Sequence, residues 1–273
     1  MRNKVMFLII FLSSTLLAEN YDRMFDLMKQ GKWIDALELY LKIPEYVKST
    51  KYSRKLKASQ KKNRNQFQSL ARKAPRNMQF LNELNKVRIF LKTRKYRYPV
   101  ELDNKVAVSL FVMVHSDRRS KTISILKARK DYSAYIRKMC RDMNLPEELE
   151  MIPAIESGYR KAVTSHAGAE GMWQLMESTA KDMDLKVNDG VDQRKDWKLS
   201  TAAALKFLKR LYGEYDSWEK TLSAYHWGPG NLSNSMKKEK FPDCIPDITK
   251  RYLSDFSAYV ILSDTHRKIF SLY

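Results

Sequence analysis

Glu156 is the residue whose setting is hardest to explain by folding alone. Leu149, Ile152 and Glu156 stand at i, i+3 and i+7, the spacing of one helical face, so a carboxylate shares a stripe with apolar side chains. An ionised carboxylate is costly to remove from water unless it is paired. Desolvation raises its pKa, and a carboxyl that keeps its proton near neutral pH can act as a general acid. A buried arginine partner, or a helix that ends early, would account for the same spacing without catalysis. Pro153 removes a backbone hydrogen bond in mid-helix. It is expected to kink or end the helix just before Glu156 and to open the carboxyl toward a cleft.

Ser165-His166-Ala167-Gly168-Ala169-Glu170-Gly171-Met172-Trp173-Gln174-Leu175-Met176 follows. Its small residues let the backbone approach another chain or a ligand closely. Trp173 offers a flat face for a sugar ring or for core packing. Gln174 carries both a donor and an acceptor, which suits hydroxyl and acetamido groups. His115, His166, His226 and His266 are widely scattered and Cys140 and Cys244 are the only cysteines. No metal-binding spacing is present, and the two cysteines are read as either a disulfide or two buried thiols.

The elements that must position these groups read as helices. Leu81, Leu84, Val87 and Leu91 mark a helix over 80–91, and 106–114 is a second apolar stretch, read as helix. Tyr132, Tyr135, Ile136 and Met139 fit an amphipathic helix. Pro146 belongs in the first turn of the helix that carries Glu156, with Glu147 and Glu148 favoured there by the helix dipole. A helix over 201–212 has Ser200 as its N-cap and closes at Gly213. Asp216 with Glu219 opens the next, on which Trp218, Leu222 and Tyr225 share a face until Gly228-Pro229-Gly230 stops it. Trp218 is read as core. Residues 21–43 resemble a helical hairpin, and 48–76 form a basic linker or helix. The fold class expected is all-α.

The first residues read as an export signal. Arg2 and Lys4 precede the apolar run Val5 to Leu12, with a cut after Ala18. That run is shorter than the ~20 residues a spanning helix needs, and no cysteine near the cut marks a lipoprotein. The expected compartment is therefore the periplasm. The net charge is +20, and 17 Lys and Arg against the single acid Glu83 lie between Lys48 and Arg97. In an exported protein this charge points to the cell wall or an anionic membrane surface rather than to nucleic acid.

Taken together, residues 118 to 262 resemble the lysozyme-like (goose-type/Slt) lytic transglycosylases, and among them the membrane-bound lytic murein transglycosylase D group. Leu145-Pro146-Glu147-Glu148-Leu149 matches the lead-in and Ile155-Glu156-Ser157 the Glu-Ser motif. Gly168-Ala169-Glu170-Gly171-Met172-Trp173-Gln174 matches the second motif. Asp192-Gln193-Arg194, Ser200-Thr201-Ala202-Ala203 and Ala224-Tyr225 follow in order. The resemblance implies Glu156 as the catalytic acid and base. It implies Ser157, Ser165, Gln174, Met176, Tyr225, His226 and Tyr252 as substrate-binding residues, with Tyr225 reaching toward Glu156 or the substrate. It implies peptidoglycan glycan strands as the partner and no metal or cofactor.

The implied organisation is a signal peptide at 1–18, a basic helical N-terminal extension at 19–117 and a lysozyme-like catalytic domain at 118–273. Three positions depart from the family pattern. His226-Trp227 stand where Asn-Ala is usual, Ile248-Thr249 where Glu-Thr is usual, and Arg160-Lys161 where Asn-Pro is usual. The resemblance leaves room for a hydrolytic muramidase, which needs a second carboxylate, with Glu170, Glu177 and Asp192 the nearest in sequence. It also leaves room for a non-catalytic wall-binding scaffold.

Overall fold

The computed structural model describes residues 74–272, together with Arg23, Asp26, Leu27, Gln30 and Asp35. The export signal, the helical hairpin and the basic stretch up to residue 73 fall on positions that are, but for those five, outside the described residues. The chain divides into two compact units, Met1–Lys86 and Val87–Tyr273; the second holds every residue singled out above for chemistry.

Ten α-helices run through residues 74–272: α1 (Ala74–Thr93), α2 (Asn104–His115), α3 (Arg119–Ala128), α4 (Lys130–Asp142), α5 (Ile152–Glu156), α6 (Glu177–Asp182), α7 (Trp197–Tyr215), α8 (Trp218–Trp227), α9 (Pro229–Met236) and α10 (Asp247–Thr265). The only strands among these residues are β1 (Val187–Asn188) and β2 (Val191–Asp192), an antiparallel pair. The expected all-α class holds, with this small hairpin added.

Two nineteen-residue helices frame the second unit. Helix α10 lies against α2, α5 and α8, and α7 lies against α4, α6 and α8. Tyr252, Phe256, Val260, Ile261 and Leu262 of α10 are all buried, so this helix runs through the core with little polar surface. Helix α7 starts at Asp196, whose carboxylate accepts from the backbone N–H groups of Lys198 and Leu199. A cap of this kind contributes ~1 kcal/mol. The expected cap, Ser200, is instead fully buried inside the helix. The C-terminal end falls at Asp216 in the left-handed region rather than at Gly213, and Ser217 caps α8. Acidic and hydroxyl side chains compete for cap positions, and packing picked the earlier start. Trp218 is half-buried and stacks on Tyr212 at 4.3 Å.

The segment leading to Glu156 differs most from the sequence reading. It is not one α-helix. Glu147–Met151 form a 3-10 turn, and α5 begins afresh at Ile152. Pro153 stands in the first turn of α5, where its missing N–H costs nothing; it starts a helix rather than breaking one. The acids of the lead-in are held by charge. Glu147 is bound by Arg137 and Arg141, and Glu148 accepts from the Arg97 backbone N–H. Glu150, only 2% exposed, lies 2.6 Å from Arg129 and 3.3 Å from Arg137. A buried carboxylate of this kind persists only when paired. These ion pairs lock the 3-10 turn onto α4, while Tyr132 and Tyr135 pack edge-on against Trp197 and join α4 to α7.

The loop after Glu156 is tied down as firmly. Arg194, nearly buried, donates through Nη1 to the carbonyls of Gly168 and Leu175, and its other nitrogens grip Asp192. Gly171 sits at φ +81, and a Cβ there would meet the Arg194 carbonyl oxygen at 2.0 Å. Backbone cannot yield as a flexible side chain would. Substitution of Gly171 by Ala is therefore expected to cost more than ~2 kcal/mol, read as a fall in the denaturation midpoint. The conservative Gly168→Ala, which meets nothing within 4 Å, should cost less.

Candidate active site

Glu156 ends α5, and Tyr252 stands one turn into α10. The Tyr252 hydroxyl donates to Glu156 Oε1 at 2.8 Å. The Glu156 side chain is partly exposed, while Tyr252 is 4% exposed. A mostly dry surrounding pushes the Glu156 carboxyl up to about 7, against a smaller opposing pull from the Tyr252 hydrogen bond. Desolvation wins because the single neutral donor replaces only part of the lost water. Among the described residues no ion pair to Glu156 is present, so the core-arginine explanation of its apolar stripe does not apply.

The second motif is bonded to Ser157, at the end of α5, and to Tyr225 of α8. Trp173 is fully buried, and its indole N–H donates to Thr201 Oγ1 at 2.9 Å. It therefore packs the core rather than presenting a face to a sugar. The Trp173 carbonyl accepts the Tyr225 hydroxyl at 2.7 Å. Tyr225 lies close enough to Glu156 for the carboxylate to help hold the phenol's pKa far above its ordinary value, after burial itself. The hydroxyl that reaches the carboxyl is thus Tyr252's, while Tyr225 braces the backbone beside it. Ser157 is buried, and its hydroxyl donates to the Met172 carbonyl at 2.8 Å, which stitches the end of α5 to the second motif.

The remaining site residues divide into two groups. His226 stacks on Tyr252 with ring centroids 4.4 Å apart, and its Nδ1 lies 3.2 Å from Thr249 Oγ1. Ser165 and Gln174 belong to the loop. The Ser165 hydroxyl accepts from the Ala169 N–H, and the Gln174 amide donates to the Val163 and Gly171 carbonyls. Gln174 holds a positive φ of 50°, so its backbone shape and its side-chain bonds both serve the turn. Met176 is 44% exposed at the loop's end. Glu156, Tyr225, His226 and Tyr252 are thus brought together, whereas Ser165, Gln174 and Met176 belong to the loop that follows Glu156.

The three acids that a two-carboxylate mechanism could draw on are engaged elsewhere. Glu170 is buried and bonded by Thr164 and the Gly171 N–H, Glu177 pairs with Lys181, and Asp192 pairs with Arg194. No cluster that could hold a metal ion is found among the described residues. Cys140 and Cys244 are both free and buried.

Two contributors were quoted in the sequence reading without the roles that the structure gives them. Thr249 matters through its contact with His226, and Asp192 with Arg194 form the strut under the loop. The strut had a signal, since Arg194 is two residues from a carboxylate in a short turn, but its targets at Gly168 and Leu175 are set by folding.

Residues 133–246 match the family described as the Transglycosylase SLT domain. The membrane-bound lytic murein transglycosylase D of Escherichia coli (strain K12) is 36% identical over 110 residues, which cover 40% of this chain and 24% of that protein. A putative tributyltin chloride resistance protein of Alteromonas sp. (strain M-1) is 34% identical over 110 residues, covering 40% of this chain and 53% of its own length. Peptidoglycan transglycosylase gp16 of Escherichia phage T7 is 38% identical over 88 residues, 32% of this chain and 7% of that protein. The likeness spans about half or less of each relative. The match to the Transglycosylase SLT domain falls on residues 133–246, the stretch that holds Glu156, the second-motif loop and helices α7 and α8.

Proposed function

We propose that this chain is a lytic transglycosylase of the periplasm, cleaving the bond between N-acetylmuramic acid and N-acetylglucosamine in peptidoglycan glycan strands. The observation that carries the reading is one partly buried carboxyl, Glu156, held near pKa 7 by desolvation and touched by a single tyrosine hydroxyl. Glycosidases that work with two carboxylates place them ~5–9.5 Å apart across the bond. Here Glu170, Glu177 and Asp192 are committed to structural partners, which favours a mechanism with one acid.

In that mechanism protonated Glu156 donates to the glycosidic oxygen as the bond to the muramoyl C1 breaks. The resulting carboxylate then takes the proton of the muramoyl C6 hydroxyl as that oxygen attacks C1. The acetamido group of the substrate shares the charge at the sugar centre. The product is a 1,6-anhydromuramoyl end, and no water is consumed. Tyr252 steadies the carboxylate between the two transfers. Catalysis belongs to residues 118–273 in this reading. The basic N-terminal region holds the enzyme at the wall or at an anionic membrane surface, after removal of the signal peptide at 1–18.

Purified sacculi incubated with wild type are expected to release fragments with anhydro ends by mass spectrometry. Glu156→Gln is expected to lower the rate at least ~10²-fold. Reducing ends from the wild type would replace this reading with a hydrolytic muramidase, and equal zero release from both proteins would favour a wall-binding scaffold.

The acid role fixes the pH dependence. Since Glu156 must carry its proton in the free enzyme, kcat/KM is expected to fall as pH rises through about 7. Stability follows with the same sign. The native carboxyl is raised from 4.5 to about 7, so between those values the native state binds more protons than the unfolded chain. Stability therefore falls as pH rises across that window, and the full cost stands above it. Glu156→Gln removes the cost and is expected to be more stable than wild type at pH 8 by ~1–3 kcal/mol. The difference should be close to nil at pH 4, and paired denaturation curves at the two pH values check it.

A further inference from the structure

His226 stands where the resemblance has an asparagine, and it lies against the residue that touches Glu156. We propose that His226 is a positioning residue whose imidazole holds the Tyr252 ring so that the phenol stays aimed at the Glu156 carboxyl. This rests on the general-acid reading of Glu156 given above.

Three observations support it. The two rings lie 4.4 Å apart and 29° from parallel, close contact over much of the ring face. The imidazole is also tethered, its Nδ1 lying 3.2 Å from Thr249 Oγ1. Thr249 is fully buried and sits three residues before Tyr252 on α10. Helix α8 therefore grips α10 at two neighbouring points of one face, and the imidazole cannot slide off the phenol without losing both. An asparagine at this position has no ring to stack.

The electrostatic setting suits the role. Burial lowers the His226 pKa below its ordinary value, so the imidazole is neutral at pH 7. A cation at that place would favour ionised Glu156 and spoil the acid. The titratable groups facing the cluster are Glu156 from α5, Tyr225 from α8, Tyr252 from α10 and Tyr98 ahead of α2, with burial holding the phenols in their neutral form. His226 thus contributes shape without charge. The phenol can swing about two side-chain torsions, and a stacked neighbour restricts both.

The experiment is a titration of Glu156 in the full-length protein by carbon-detected NMR of labelled glutamate, with Glu156→Gln identifying the signal. It is run on wild type, His226→Ala, His226→Phe and Thr249→Val, each checked for folding by thermal denaturation. In His226→Ala the Tyr252 bond loosens, and the Glu156 midpoint is expected to rise by about half a pH unit or more. His226→Phe keeps the ring and should restore most of the wild-type midpoint. Thr249→Val, which removes only the tether, should shift it in the same direction by less, and carries the test if the alanine variant does not fold. With Tyr252→Phe as background, His226→Ala should shift nothing further. On sacculi, kcat should fall with KM little changed. An unmoved midpoint in the folded variants, or a loss confined to KM, overturns the proposal; the latter would mean that His226 meets the sugar. Because the titration needs no substrate, it stands apart from the outcome on sacculi, where absence of anhydro products would overturn the transglycosylase reading instead.

Discussion

The hydrogen bond from Tyr252 to Glu156 joins residues 96 positions apart in the chain, and it depends on α5 and α10 packing against one another. A carboxyl in a mostly dry place has two ways to lower its free energy: to take up a proton or to find a cation. Here it meets a neutral phenol. The bond is strong enough to orient the carboxyl and too weak to hold it ionised, so the group stays poised between its two protonation states near neutral pH.

Holding a group in that state requires rigid surroundings, and the surroundings are polar where they could have been greasy. The lead-in to α5 is clamped by Arg129, Arg137 and Arg141 on Glu147 and Glu150. The Glu150 carboxylate is buried in its pairs, and a pair of that kind adds little net stability, but removing one partner is costly, so it selects one arrangement. The loop of the second motif is held from beneath by Arg194 with Asp192, and from the side by Ser157 and Tyr225, which bond its backbone carbonyls. All the charged groups within these clamps are paired with each other. Glu156 stands outside these pairs, with no ion pair among the described residues and one hydrogen bond, from Tyr252.

The same economy separates two kinds of polar residue in the site. Ser157, Tyr225 and Gln174 spend hydrogen bonds on the protein's own backbone. Glu156 and Tyr252 bond one another, and Met176 is exposed at the end of the loop. A motif matched residue by residue does not distinguish these classes, because a side chain that builds the pocket and one that meets the ligand are under equally specific demands.

Much of this was legible beforehand. Helical periodicity located α1, α4, α7 and α8, since an apolar stripe must face a core whatever the core turns out to be. Glu156 stood out for the same reason in reverse, as a carboxylate on such a stripe. Other features depended on partners far along the chain. Pro153 was expected to kink or end a helix, but it starts one, because the 3-10 turn before it, held by arginines of α4, lets α5 begin afresh. Trp173 suited a sugar or a core until Thr201 supplied a partner for its indole. Tyr225 and Tyr252 were both phenols near the right place, and only the packing of α8 and α10 decided which one faces the carboxyl. Local pattern determines which residues are buried and where helices run, because those are properties of neighbours in sequence. Which donor meets which acceptor is a property of neighbours in space, and it is decided only when the helices close on one another.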